Sequence, residues 1–138
     1  MKNVLILHGI GGNPTLNWYQ YVAQKAREIG YTAHVPQLPS SDKPDFELTY
    51  DFLVKNFTFD KETVLVGHSS GASLALGILQ KLPVSIQIRR VILIAGFIDP
   101  FLTDELHKYV KRSDYDKLFP PQWDWRKIRE SSGDYIIS

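Results

Sequence analysis

Apolar residues in this chain fall in short unbroken blocks separated by stretches with helical spacing. Val4-Leu5-Ile6-Leu7 is bounded by polar residues and glycines, the pattern of a strand buried on both faces. Trp18, Val22, Ala26 and Ile29 then repeat at helical intervals, and Gly30 stands where a glycine ends a helix. Thr32 to Val35 predicts a second strand. Pro36 to Pro44 is too rich in breakers to be regular. Phe46, Tyr50, Leu53 and Phe57 predict a second helix with Asp45 as its cap. Residues 62–66 predict a third strand. Leu74, Ala75, Leu76, Ile78, Leu79 and Leu82 are apolar on nearly every side, as in a buried helix. Val91 to Ala95 predicts a fourth strand, Thr103 to Val110 and Trp123 to Glu130 short helices, and Tyr135-Ile136-Ile137 a fifth strand. The alternation predicts an α/β fold: a parallel sheet with helices on both faces, in a three-layer sandwich.

Composition narrows this little. At 138 residues, a single domain spanning 1–138 is expected. A formal charge of +1 argues against nucleic acid or a membrane surface as partner. No cysteine is present, which excludes disulfides and thiolate metal sites, and no metal site or cofactor is expected. Met1-Lys2-Asn3 leads straight into an apolar strand without a signal-peptide pattern, and no apolar run has transmembrane length, so a cytoplasmic location is expected.

The chemistry centres on Gly67-His68-Ser69-Ser70-Gly71. It follows a β-branched strand and opens the buried helix, the context that G-x-S-x-G requires as the nucleophile elbow of α/β-hydrolases. Glycines at 67 and 71 let strand and helix approach across a strained turn, with Ser69 as the nucleophile. The Ser70 N–H begins a helix and is available to an oxyanion. A second donor is expected from His8-Gly9-Ile10-Gly11-Gly12, with Ile10 or Gly11 as candidates. His8 is expected to order that loop, and His68 to support the elbow. A dinucleotide site does not fit the same glycines: Pro14 replaces the third glycine, and no acid ends the second strand.

A serine nucleophile needs a base and an acid, which follow it in hydrolase order. His107 is the one histidine after Ser69, and Asp99 is the acid that follows the fourth strand. Residues 97–121, the least regular stretch, are expected to form a rim over the site.

Several blocks together resemble one small family. They are His8 to Asn13 with Asn17-Trp18-Tyr19, the loop Pro36-Gln37-Leu38-Pro39, Lys61 to Ala72, and Phe119 to Ile128. The chain resembles the compact serine hydrolases related to retinoblastoma-binding protein nine along essentially its whole length. The resemblance implies a Ser-His-Asp triad with Ser69 as nucleophile and a small acyl substrate such as an ester. It also implies an acid just after the strand that begins at Tyr135, and a histidine in a later Gly-His loop. Neither is in the sequence, so a C-terminally truncated copy with little activity is expected. The alternative is a non-catalytic binding protein of the same fold, its protein partner meeting the aromatic 97–128 surface or the last strand.

Overall fold

The computed structural model describes residues 1–99 and 112–138. The predicted helix at 103–110 and His107 lie outside the described residues. Five strands form one sheet: β1 (Asn3–Leu7), β2 (Thr32–His34), β3 (Thr63–His68), β4 (Arg90–Ile94) and β5 (Tyr135–Ile137). Their order is β2-β1-β3-β4-β5, and every pairing is parallel. The helices are α1 (Tyr19–Glu28), α2 (Phe46–Asn56), α3 (Ser70–Lys81) and α4 (Trp125–Glu130).

Strand alternation divides the core in two. Leu5, Leu7, Leu65, Val91 and Leu93 pack on one face with Leu53 of α2, the body of α3 and Ile128 of α4. Val4, Ile6, Val64 and Val66 pack on the other with Tyr19 and Ala23 of α1. Each such buried aliphatic side chain contributes about 1.5–3 kcal/mol. Every residue of α3 from Ser70 to Leu79 is buried, as its all-round apolar sequence requires. Asp45 caps α2, accepting the Leu48 N–H at 3.2 Å.

The α1 stripe is turned relative to the predicted one. Tyr19 and Ala23 form its buried centre, Trp18, Val22 and Ala26 flank it, and Ile29 is 73% exposed. The helix ends at Glu28, so Ile29 is a cap residue and leaves the apolar face.

The strand order determines where a site can form. From β1 the chain crosses to β2 on one side through α1, whereas from β3 it crosses to β4 on the other side through α3. Right-handed crossovers in opposite directions put these helices on opposite faces. The loops leaving β1 and β3 therefore diverge and open a crevice at the carboxyl ends of the strands, the switch point where α/β sheets bind ligands.

Candidate active site

The two glycine-containing segments singled out in the sequence meet at that crevice. Leu7 pairs with Gly67 and His68 with Ile94, which brings the loop after β1, the elbow after β3 and the end of β4 to one level. Ser69 has φ 56° and ψ −121°, a conformation natural to glycine and strained for serine. The surroundings impose it. The Ser69 N–H donates to the Ile94 carbonyl at 2.9 Å, and its carbonyl accepts the Ala72 N–H at 2.9 Å. The two elbow glycines are steric requirements. A Cβ on Gly67 would lie 2.5 Å from the Gly71 carbonyl oxygen and 2.6 Å from Ala72 Cα. One on Gly71 would lie 2.3 Å from the Leu7 carbonyl oxygen and 2.8 Å from that of His8.

The loop after β1 runs alongside the serine. A Cβ on Gly9 would lie 3.3 Å from Ser69 Cβ and 3.8 Å from its Oγ. Of the loop amides, Gly9 donates to Tyr19 Oη at 3.3 Å, Gly11 to the Ser41 carbonyl at 2.7 Å and Gly12 to the Gly9 carbonyl at 3.0 Å. The Gly11 N–H is thus committed to a neighbouring loop. The Ile10 N–H has no acceptor among the described residues. Its orientation is fixed through its own peptide unit. The Gly9 carbonyl of that unit receives the Gly12 N–H and lies 2.8 Å from His8 Nδ1, so the Ile10 N–H of the planar trans peptide points the other way.

His8 is buried. Its Nε2 accepts the Leu38 N–H at 2.9 Å, which leaves the proton on Nδ1 to donate to the Gly9 carbonyl. Burial holds its pKa below the ordinary imidazole value, with the Gly9 hydrogen bond opposing less strongly. Both ring nitrogens are thereby used in holding the loop.

Ser70 opens α3, where an N–H has no intrahelical acceptor, and the positive end of the helix dipole lies there. Its Oγ is buried and has no hydrogen-bond partner among the described residues. A cavity of about 10 Å³, the size of one water, is lined by Ser70, His8, Gly9 and Leu38.

His68 turns away from the reaction side. Its Nδ1 is 2.7 Å from Tyr19 Oη, and its ring meets Trp18 and Tyr19 edge-on. Burial lowers its pKa. Tyr19 enters the sequence reading only within the Asn17-Trp18-Tyr19 block: helical periodicity marks a buried face but names no partner across the sheet.

Ala72, Ala95 and Gly96 line an apolar cleft of about 540 Å³, whose walls include Leu76, Leu93 and Phe97. Ser73 Oγ donates to the Phe97 carbonyl and ties α3 to the segment that leaves β4. Trp123 and Trp125 stack at 5.3 Å beside it, and the Trp123 Nε1–H donates to the Ile98 carbonyl at 2.9 Å. Among the described residues, no group of three or more His, Asp or Glu side chains could hold a metal ion. No helix among them is long and apolar enough to cross a membrane.

A five-stranded parallel sheet with a strained serine between a glycine-rich loop and a buried helix defines a class. The chain belongs to the alpha/beta hydrolase family, whose model matches residues 4–136. Among individual proteins it is similar to YdeN of Bacillus subtilis (strain 168), which carries a hydrolase name. The two are 27% identical over 132 residues, 95% of this chain and 65% of YdeN. The chain thus spans just under two thirds of that relative. The crystal structure of the B. subtilis ydeN gene product superposes with a TM-score of 0.79 at 25% identity, covering 99% of this chain and 70% of that one. A pyrethroid hydrolase from Sphingobium faniae JZ-2 shares the fold, with a TM-score of 0.56 at 18% identity over 74% of this chain and 43% of its own.

Proposed function

We propose that this chain supplies the nucleophile and oxyanion site of a serine hydrolase acting on a small acyl compound such as an ester. The backbone of Ser69 carries the proposal: a serine held at φ 56° beside Gly9, at the head of a buried helix. Strain of this kind costs about 1–3 kcal/mol and persists where the surroundings over-determine it, as they do at reactive sites. Ser69 Oγ attacks the acyl carbon and releases the alcohol, and water then hydrolyses the acyl-enzyme. The Ile10 and Ser70 N–H groups receive the negative charge that develops on the carbonyl oxygen. Ala72, whose N–H donates to the Ser69 carbonyl, also lines the apolar cleft, which suits an acyl group. The reaction also needs a general base and an acid. His8 and His68 are engaged with Leu38, Gly9 and Tyr19, and His34 packs on Phe57 beside Met1 and Asn3, so the base comes from outside the described residues.

The test is labelling with a fluorophosphonate ester, which reports an activated serine. Covalent labelling of the folded chain that is lost in Ser69→Ala is the expected result. A folded chain that stays unlabelled at all probe concentrations would overturn the proposal.

A further inference from the structure

We propose that Tyr19 is a positioning residue for the oxyanion site, its phenol oxygen holding the loop after β1 and the elbow after β3 at one spacing. The proposal rests on the reading of Ser69, Ile10 and Ser70 given above.

The ladder between β1 and β3 ends at the Leu7–Gly67 pair. Past that rung the two proposed donors, Ile10 and Ser70, lie on separate loops. Tyr19 Oη touches both loops one residue short of the reacting groups. It accepts the Gly9 N–H at 3.3 Å, next to Ile10, and lies 2.7 Å from the ring of His68, next to Ser69. Asn17 Nδ2 also donates to it, at 3.4 Å. With two donors already on the oxygen, the phenol proton goes to His68 Nδ1. That assignment fixes His68 as the neutral Nε2–H tautomer and makes the bridge continuous from Gly9 N–H to the imidazole.

The ring of Tyr19 is 1% exposed and packs among Val4, Ile6 and Val66. A phenylalanine would fill that space equally well, so the hydroxyl is the part that packing does not require. Gly9 is gripped at both ends, its N–H by Tyr19 and its carbonyl by His8 and Gly12. Releasing the Tyr19 end frees the His8–Gly9 peptide, so the Gly9–Ile10 peptide, still held at its carbonyl by His8 and Gly12, is displaced together with Gly9. Oxyanion donors depend steeply on placement, and a shift of an ångström in a reacting group costs up to about 100-fold in rate.

The experiment compares Tyr19→Phe, His68→Leu, their double variant and His68→Gln with the parent chain. Two readouts are used: the kinetics of fluorophosphonate labelling and the amide spectrum with its hydrogen exchange. In Tyr19→Phe the bond-forming rate constant at Ser69 is expected to fall about 10- to 100-fold while the reversible affinity for the probe stays unchanged. His68→Leu should show the same loss, and the double variant no more than either. His68→Gln, whose amide oxygen can accept the phenol proton, should retain most of the rate. In the amide spectrum, Gly9, Ile10 and Ser70 should shift together in Tyr19→Phe, with faster exchange at Gly9. Parent-like labelling in Tyr19→Phe, or a shift confined to Gly9, would overturn the proposal. If the parent chain itself is not labelled, the nucleophile reading fails on its own, and the joint movement of the Ile10 and Ser70 amides still decides whether Tyr19 positions them.

Discussion

Gly71 lies against the Leu7 carbonyl so closely that a Cβ there would stand 2.3 Å from that oxygen. Both sides of this contact are backbone, at the end of β1 and the first turn of α3, so neither can rotate aside. Gly71→Ala is therefore expected to destabilise the chain by about 3 kcal/mol, the upper end of overpacking costs. It should also abolish labelling at Ser69, because relief requires α3 to move off the sheet. Urea unfolding of the variant, with the probe added to its folded fraction, checks both effects.

Ser69 gives the opposite sign. Its strained φ and ψ suit glycine, so Ser69→Gly relieves strain while adding unfolded-state entropy. The expected net gain is about 1 kcal/mol, while Ser69→Ala, with the same backbone requirement, stays near the parent value. Both variants lose the nucleophile. A Ser69→Gly chain less stable than Ser69→Ala would show that the elbow carries no strain.

Two histidines set an acid limit. Burial lowers the pKa of His8 and of His68 below the ordinary 6.5 in the folded chain. The unfolded chain therefore takes up protons first as pH falls. Their contribution is intact above about pH 6.5 and is lost as pH drops from there through the lowered folded values. Unfolding midpoints measured from pH 7.5 down to 5 should fall, and His68→Gln should flatten part of that slope.

Asp45 tests a cap that was legible from sequence. Its side chain accepts the Leu48 N–H and stands 3.7 Å from Lys117 Nζ. Asp45→Ala should cost about 1 kcal/mol, nearly all from the cap, since the ion pair is long and its lysine is exposed. A Lys117→Ala chain close to the parent in urea unfolding would separate the two terms.

All five strands and the buried helix were readable because runs such as Val4 to Leu7 and the block from Leu74 to Leu82 state their burial in side-chain type. Ser69 and the two elbow glycines were readable because steric demands select residues directly. The proposed oxyanion donors were less so. Ile10 and Gly11 differ as donors only through where the Ser41 carbonyl falls, and a backbone N–H leaves no mark in the residue that carries it. Tyr19 was hidden for another reason. Its spacing from Ala23 and Ala26 reports a helix face, whereas its role comes from His68, a residue brought near only by the sheet.

The conformation of Ser69 also has a kinetic side. It is enforced by Ile94 of β4, by the Leu7 end of β1 through Gly71, and by α3. These parts are distant in the chain, and parallel pairings of such separation form slowly. The turn can close only when β1, β3 and β4 have docked with α3, so the strained serine matures after the centre of the sheet. In refolding, the onset of probe capture would time the docking of the three central strands. A chain stalled earlier would hold Ser69 in an ordinary, unstrained backbone and would present no proposed nucleophile to any substrate.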